Sequence, residues 1–138
     1  VFRRGASKDL TVTVAEIEAS MGNLALLRGR YADALRYLEL SRRKFDALAM
    51  PHQTAIADLE IANIYAELNL NADAVEIYGR VSDEFKRLKL RSEESRSRLN
   101  YGRAAFALGD AAIAGKQLKR ALALFRAEKN EPGLAAAP

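Results

Sequence analysis

Three segments of this chain, 29–38, 69–78 and 109–118, superimpose at an offset of forty residues. Ala32, Ala72 and Ala112 fall in register, as do Ala34, Ala74 and Ala114, and further along Phe45, Phe85 and Phe125. Upstream, the small residues Gly22, Ala62 and Gly102 keep the same spacing. A fixed period of this length marks a repeat architecture, in which each unit is one supersecondary element that buries its apolar face against its neighbours.

Forty residues accommodate two antiparallel helices. Gly29, Asn69 and Gly109 are placed to supply the left-handed residue that ends the first helix of each repeat. Asn71 and Asp110 are the expected N-caps of the helix that follows, Pro51 belongs near a first helical turn, and Ser92 is expected to cap the next helix. In the middle repeat Ala74, Tyr78, Val81, Phe85 and Leu88 form one stripe at alternating steps of four and three. The first repeat echoes it with Ala34, Leu38, Ser41, Phe45 and Leu48, and the third with Ala114, Leu118, Ala121 and Phe125. The expected helices are 10–28, 31–49, 53–68, 71–89, 93–108 and 111–128, giving repeats at 10–49, 53–89 and 93–128. A small residue at each hairpin crossing lets the backbones approach, and the same close packing is expected at Gly115. Replacing Ala74 with Leu should cost about 1–3 kcal/mol through overpacking.

Composition agrees with an all-α reading. Only three prolines and eight glycines interrupt 138 residues, and helix formers dominate. The chain is read as one domain over 1–138 and as a fragment of a larger protein. Val1-Phe2-Arg3-Arg4 is read as the tail of a preceding helix, and residues 132–137 as the start of another. With no cysteine, disulfide frameworks, thiolate metal sites and cysteine nucleophiles are excluded. No apolar run is expected to reach bilayer length, so no membrane partner and a cytoplasmic location are expected.

The arrangement resembles the tetratricopeptide repeat family, whose usual unit is shorter, at roughly 34 residues. It is closest in kind to the long-unit branch seen in kinesin light chains, cell-polarity adaptors and bacterial repeat domains attached to protease or transcription-regulator modules. The residues that carry the resemblance are the small Gly22, Ala62 and Gly102, the alanines Ala34, Ala74 and Ala114, and the bulky Leu38, Tyr78 and Leu118. The large aromatic that the family carries early in its first helix is replaced by Glu18, Asp58 and Arg98. The resemblance implies a right-handed superhelix of helical hairpins, about three repeats plus partial flanking ones. It also implies a concave groove, lined by the first helix of each hairpin, that takes a peptide or protein segment.

Mapped onto this chain, that groove would present Asn23, Leu27, Leu59, Asn63, Arg96, Leu99, Arg103 and Phe106. Asn23, Asn63 and Arg103 are equivalent positions and form a ladder. An amide donates and accepts at once, so it can hold an extended backbone without demanding a sequence. Arg96 and Arg103 are seven apart and share a helix face with Leu99, a pattern suited to carboxylate recognition. Ala19 stands where the carboxylate clamp of chaperone-binding members would need a lysine.

Other chemistries find little support. Between Arg80 and Arg103 eight basic residues face four acidic ones, a basic ridge without the interleaved aromatics that single-stranded nucleic acid needs. His52 is the only histidine and has no ligand cluster near it in sequence. Glu16, Glu18, Glu60 and Glu67 lack a nucleophile or histidine beside them and are read as solvated helix faces. No enzyme activity, cofactor or metal is expected. The leading expectation is a protein–protein interaction scaffold, with an oligomer through uncapped repeat ends possible; the alternative is a structural or regulatory arm of a larger multidomain protein.

Overall fold

Six helices account for almost all of the chain in this computed structural model, which describes residues 2–129, with side chains from Ser7 to Lys129. They are α1 (Phe2–Leu27), α2 (Tyr31–Ala47), α3 (Pro51–Glu67), α4 (Asn71–Arg87), α5 (Arg91–Ala107) and α6 (Ala111–Lys129). There is no strand among the described residues. Consecutive helices pack on one another as α1 on α2, α4 on α5 and α5 on α6. This is the helical-repeat architecture that the forty-residue period demands. The chain divides into two compact units, Val1–Ile64 and Tyr65–Pro138.

The turns repeat more strictly than the side chains do. Gly29, Ala49, Asn69, Lys89 and Gly109 all have positive φ, at intervals of twenty residues. At each, the N–H of the following residue reaches back to the carbonyl five positions earlier, from Arg30 to Ala25, Met50 to Phe45, Leu70 to Tyr65, Leu90 to Phe85 and Asp110 to Ala105, at 2.8–3.0 Å. The positive-φ residue donates to the carbonyl three positions earlier. This is the Schellman arrangement, which satisfies carbonyls that a helix end would orphan. The carbonyls of Arg30, Met50, Leu70, Leu90 and Asp110 then accept the first bond of the next helix. One helix's closing residue is therefore the next one's opening residue, leaving three-residue links.

That geometry moves two expected caps. Leu70 and Leu90 hold the cap positions of α4 and α5, so Asn71 is a first helical residue and Ser92 lies inside its helix, with its hydroxyl 3.3 Å from the Glu128 carboxylate. Asp110 does cap, its Oδ1 accepting the Ile113 N–H at 3.0 Å. Pro51 opens α3, where its missing N–H has no partner to lose. Residues 2–4 are the first turn of α1 rather than the tail of an earlier helix, because α1 runs unbroken through Gly5. A single internal glycine costs about 1 kcal/mol, too little to end a helix this long. The expected helix at 132–137 lies outside the described residues.

In the first unit, Ala15, Ala34, Leu38, Phe45, Ile61 and Ile64 are buried. The Ser41 hydroxyl donates to the Ala15 carbonyl at 2.9 Å and ties α2 to α1. In the second, Ala74, Tyr78, Val81 and Phe85 of α4 are buried together with Ala104 and Ala105 of α5. Each large apolar side chain so buried contributes about 1.5–3 kcal/mol. A Cβ on Gly102 would stand 2.7 Å from Leu118 Cγ, which explains the small residue at that crossing. Gly115 is different: nothing lies within 4 Å of where its Cβ would be, so the close packing expected there is absent.

Candidate interaction surface

On α5, Arg96, Leu99, Arg103 and Phe106 follow one another at steps of three, four and three, which sets them on one face. All four are exposed, Phe106 by 72%. Two guanidinium groups thus alternate with two apolar side chains along about ten residues of helix. Such a strip offers bidentate donors for carboxylates beside apolar anchors. Arg96 also edges a cleft of about 500 Å³ between the start of α5 and the end of α6, shared with Ser95, Phe125 and Lys129.

In the other unit, Asn23 and Leu27 are exposed at the end of α1, Leu27 by 86%. Asn63 on α3 is half-buried, and Leu59 is buried. Leu59 therefore belongs to packing, and no partner can reach it. A cavity of about 140 Å³ lies among α1, α2 and α3, lined by Phe45, His52, Ile56 and Glu60. Among the described residues no group of three histidine, aspartate or glutamate side chains is placed to hold a metal.

Glu18, Asp58 and Arg98, which recur at an interval of forty residues, are not surface residues. Glu18 is mostly enclosed and its Oε1 lies 2.8 Å from Lys44 Nζ, so it is not part of a solvated face. Asp58 is buried and bridged by Arg42 at 2.5 Å. Burial alone would lower the Arg42 pKa, but the Asp58 hydrogen bond and charge outweigh it and raise it. Arg98 is buried too, donating to Glu94 at 2.6 Å and Gln117 at 2.8 Å, with Asp83 at 3.4 Å. One helical position thus carries an internal ion in three successive repeats, with its sign reversed in the third. The forty-residue register picks these positions out, but their polarity suggested solvent.

Arg98 consequently leaves the basic ridge expected between Arg80 and Arg103. Arg87 turns back onto Glu84 at 2.5 Å, and that hydrogen bond holds the Glu84 carboxyl below its ordinary range. Beside Arg98, a cleft of about 490 Å³ is lined by Gly79, Tyr101, Lys116 and Arg120. Arg98 and Gln117, which also line it, are satisfied, Arg98 donating to Gln117 and to Glu94.

The stretch Ser7–Leu27 is long and apolar enough to cross a membrane by length and composition, with mean hydropathy 1.2. This corrects the expectation that no run reaches bilayer length. Both faces of α1 are apolar, one against α2 and one outward, and together they raise the average. Glu16 and Glu18 lie in its middle, where a bilayer would penalise them.

No protein-family model matches this chain, and no curated protein matches it either.

Proposed function

We propose that this chain is a protein–protein interaction scaffold of the tetratricopeptide kind, which captures a peptide segment of a partner protein on the exposed face of α5. The observation that carries this reading is the α5 strip of Arg96, Leu99, Arg103 and Phe106. A phenylalanine exposed by 72%, with Arg103 one turn before it on the same face, is unusual for a surface with no partner. Aromatic and arginine side chains are the types that dominate interface energetics. Asn23 and Leu27 are a separate exposed polar and apolar pair at the end of α1. Leu59 is left out of this surface because it is buried.

The strip favours a ligand with carboxylates spaced between apolar side chains, held in extended or helical form. Selection from a random peptide display library by the purified chain tests this. Enriched peptides are expected to carry acidic and apolar residues and to bind at least tenfold more weakly to an Arg103→Ala, Phe106→Ala double variant of unchanged helicity. Failure to enrich any peptide, or equal affinity for the double variant, would overturn the assignment.

A further inference from the structure

The outward face of α1 carries Leu10, Val14, Ile17, Met21 and Leu24, spaced by alternating steps of four and three. This is a continuous apolar seam of the width that one partner helix covers. Ile17 is 56% exposed, and Leu10, Met21 and Leu24 are exposed as well. At the other end of the chain, α6 exposes Leu118, Leu122 and Phe125 with the same spacing.

The packing of α4 on α5 shows what such faces are shaped to meet. There the Ser82 and Ser97 hydroxyls are 2.6 Å apart, Asp83 lies 3.4 Å from Arg98, and a Cβ on Gly79 would touch the Tyr101 hydroxyl at 3.3 Å. Shifted by the repeat, Ser82 corresponds to Leu122 and Ser97 to Ile17. The helix pair is the same, but its central contact is apolar and both halves are bare. Phe125 corresponds to Phe85, which is fully buried, yet Phe125 is 52% exposed.

Charge selects which face meets which. Beside the α1 seam the exposed carboxylate is Glu16, since Glu18 is held by Lys44, and beside the α6 seam the exposed cations are Lys119 and Arg120, the latter 3.4 Å from Glu94. Two α1 seams would set carboxylates against carboxylates, and two α6 seams cations against cations. Only α1 with α6 is complementary. We propose that a second copy of this chain covers the α1 seam with its α6, head to tail, in the register of the α4–α5 packing, with Leu122 against Ile17. The contact is heterologous, so each copy keeps one free seam of each kind.

Sedimentation velocity on the 138-residue chain at about 100 μM tests the pairing. Species at multiples of 15.2 kDa are expected, growing with concentration and receding with added salt. Ile17→Asp and Leu122→Asp each change an exposed residue, so helicity should hold while each variant becomes monomeric. Mixed in equal amounts, they should form a dimer and nothing larger, since each supplies one intact seam. A wild-type chain that stays monomeric would sink the proposal, as would either variant still assembling alone. A monomeric mixture would sink it too, since each variant then keeps an intact seam that finds no complement.

Discussion

Gly22 lies against Leu38 so closely that a Cβ on the glycine would stand 3.0 Å from Leu38 Cγ and 3.3 Å from the Ala34 carbonyl oxygen. Leu38 is fully buried and has nowhere to swing. Gly22→Ala should therefore force α1 and α2 apart and cost about 1–3 kcal/mol, despite alanine's better helix propensity. Gly115→Ala meets open space and should stabilise by about 0.5–1 kcal/mol. Urea denaturation of the two variants decides it: opposite shifts in midpoint are expected, and shifts of the same sign would show that propensity, not contact, governs these glycines.

Ala49 and Lys89 occupy turns that elsewhere in this chain are filled by Gly29, Asn69 and Gly109, with φ of 54° and 60°. A Cβ in the left-handed region costs about 1 kcal/mol, and glycine relieves it while adding freedom to the unfolded chain. Ala49→Gly and Lys89→Gly should each raise stability by about 0.5 kcal/mol. Thermal unfolding of the double variant should show the two increments adding, because the sites lie in separate turns. A lower melting temperature would mean the turns tolerate Cβ without strain.

These two turns also mark the limit of what the sequence displays. Gly29, Asn69 and Gly109 announce their turns by residue type, since glycine and asparagine tolerate positive φ. Ala49 and Lys89 do not, because there the conformation is imposed by the Schellman hydrogen bonds and by half-buried Met50 and Leu90 beside them. The stripes of α2 and α4 were legible for the opposite reason: Leu38, Phe45, Tyr78 and Phe85 are large, periodic and buried. On the candidate surface, helical periodicity alone sets Arg96, Leu99, Arg103 and Phe106 on one face. It could not separate exposed Leu99 from buried Leu59, which share a register position, nor reveal that Glu18, Asp58 and Arg98 are internal. Periodicity reports which residues share a face, whereas burial depends on what is packed there.

Arg98 and Glu94 form a deeply enclosed ion pair, 2.6 Å apart on neighbouring turns of α5. Arg98→Met would leave the Glu94 carboxylate buried with Arg120, at 3.4 Å, to offset it. A loss of about 3–5 kcal/mol is expected, the usual consequence of stranding one buried charge. Arg98→Met combined with Glu94→Met should recover much of that loss, because neither charge then needs a partner. A double-mutant cycle measured in urea checks this; a single variant losing less than about 1 kcal/mol would show that water reaches the pair.

Tyr78 links stability to alkaline pH. Burial in the α4 core pushes its phenol from the ordinary 10.0 up to about 12. The unfolded chain therefore releases this proton first as the pH rises. With the folded pKa above the unfolded one, the contribution is fully present below pH 10 and is lost as the pH climbs through about 12. The amplitude is up to roughly 2 kcal/mol. Tyr78→Phe keeps the ring but has no proton to lose, so the stability difference between wild type and variant should shrink or reverse over that window. Urea midpoints measured in steps from pH 8 to 12 give the comparison, and a difference that stays constant throughout would mean that the hydroxyl reaches solvent in the folded chain.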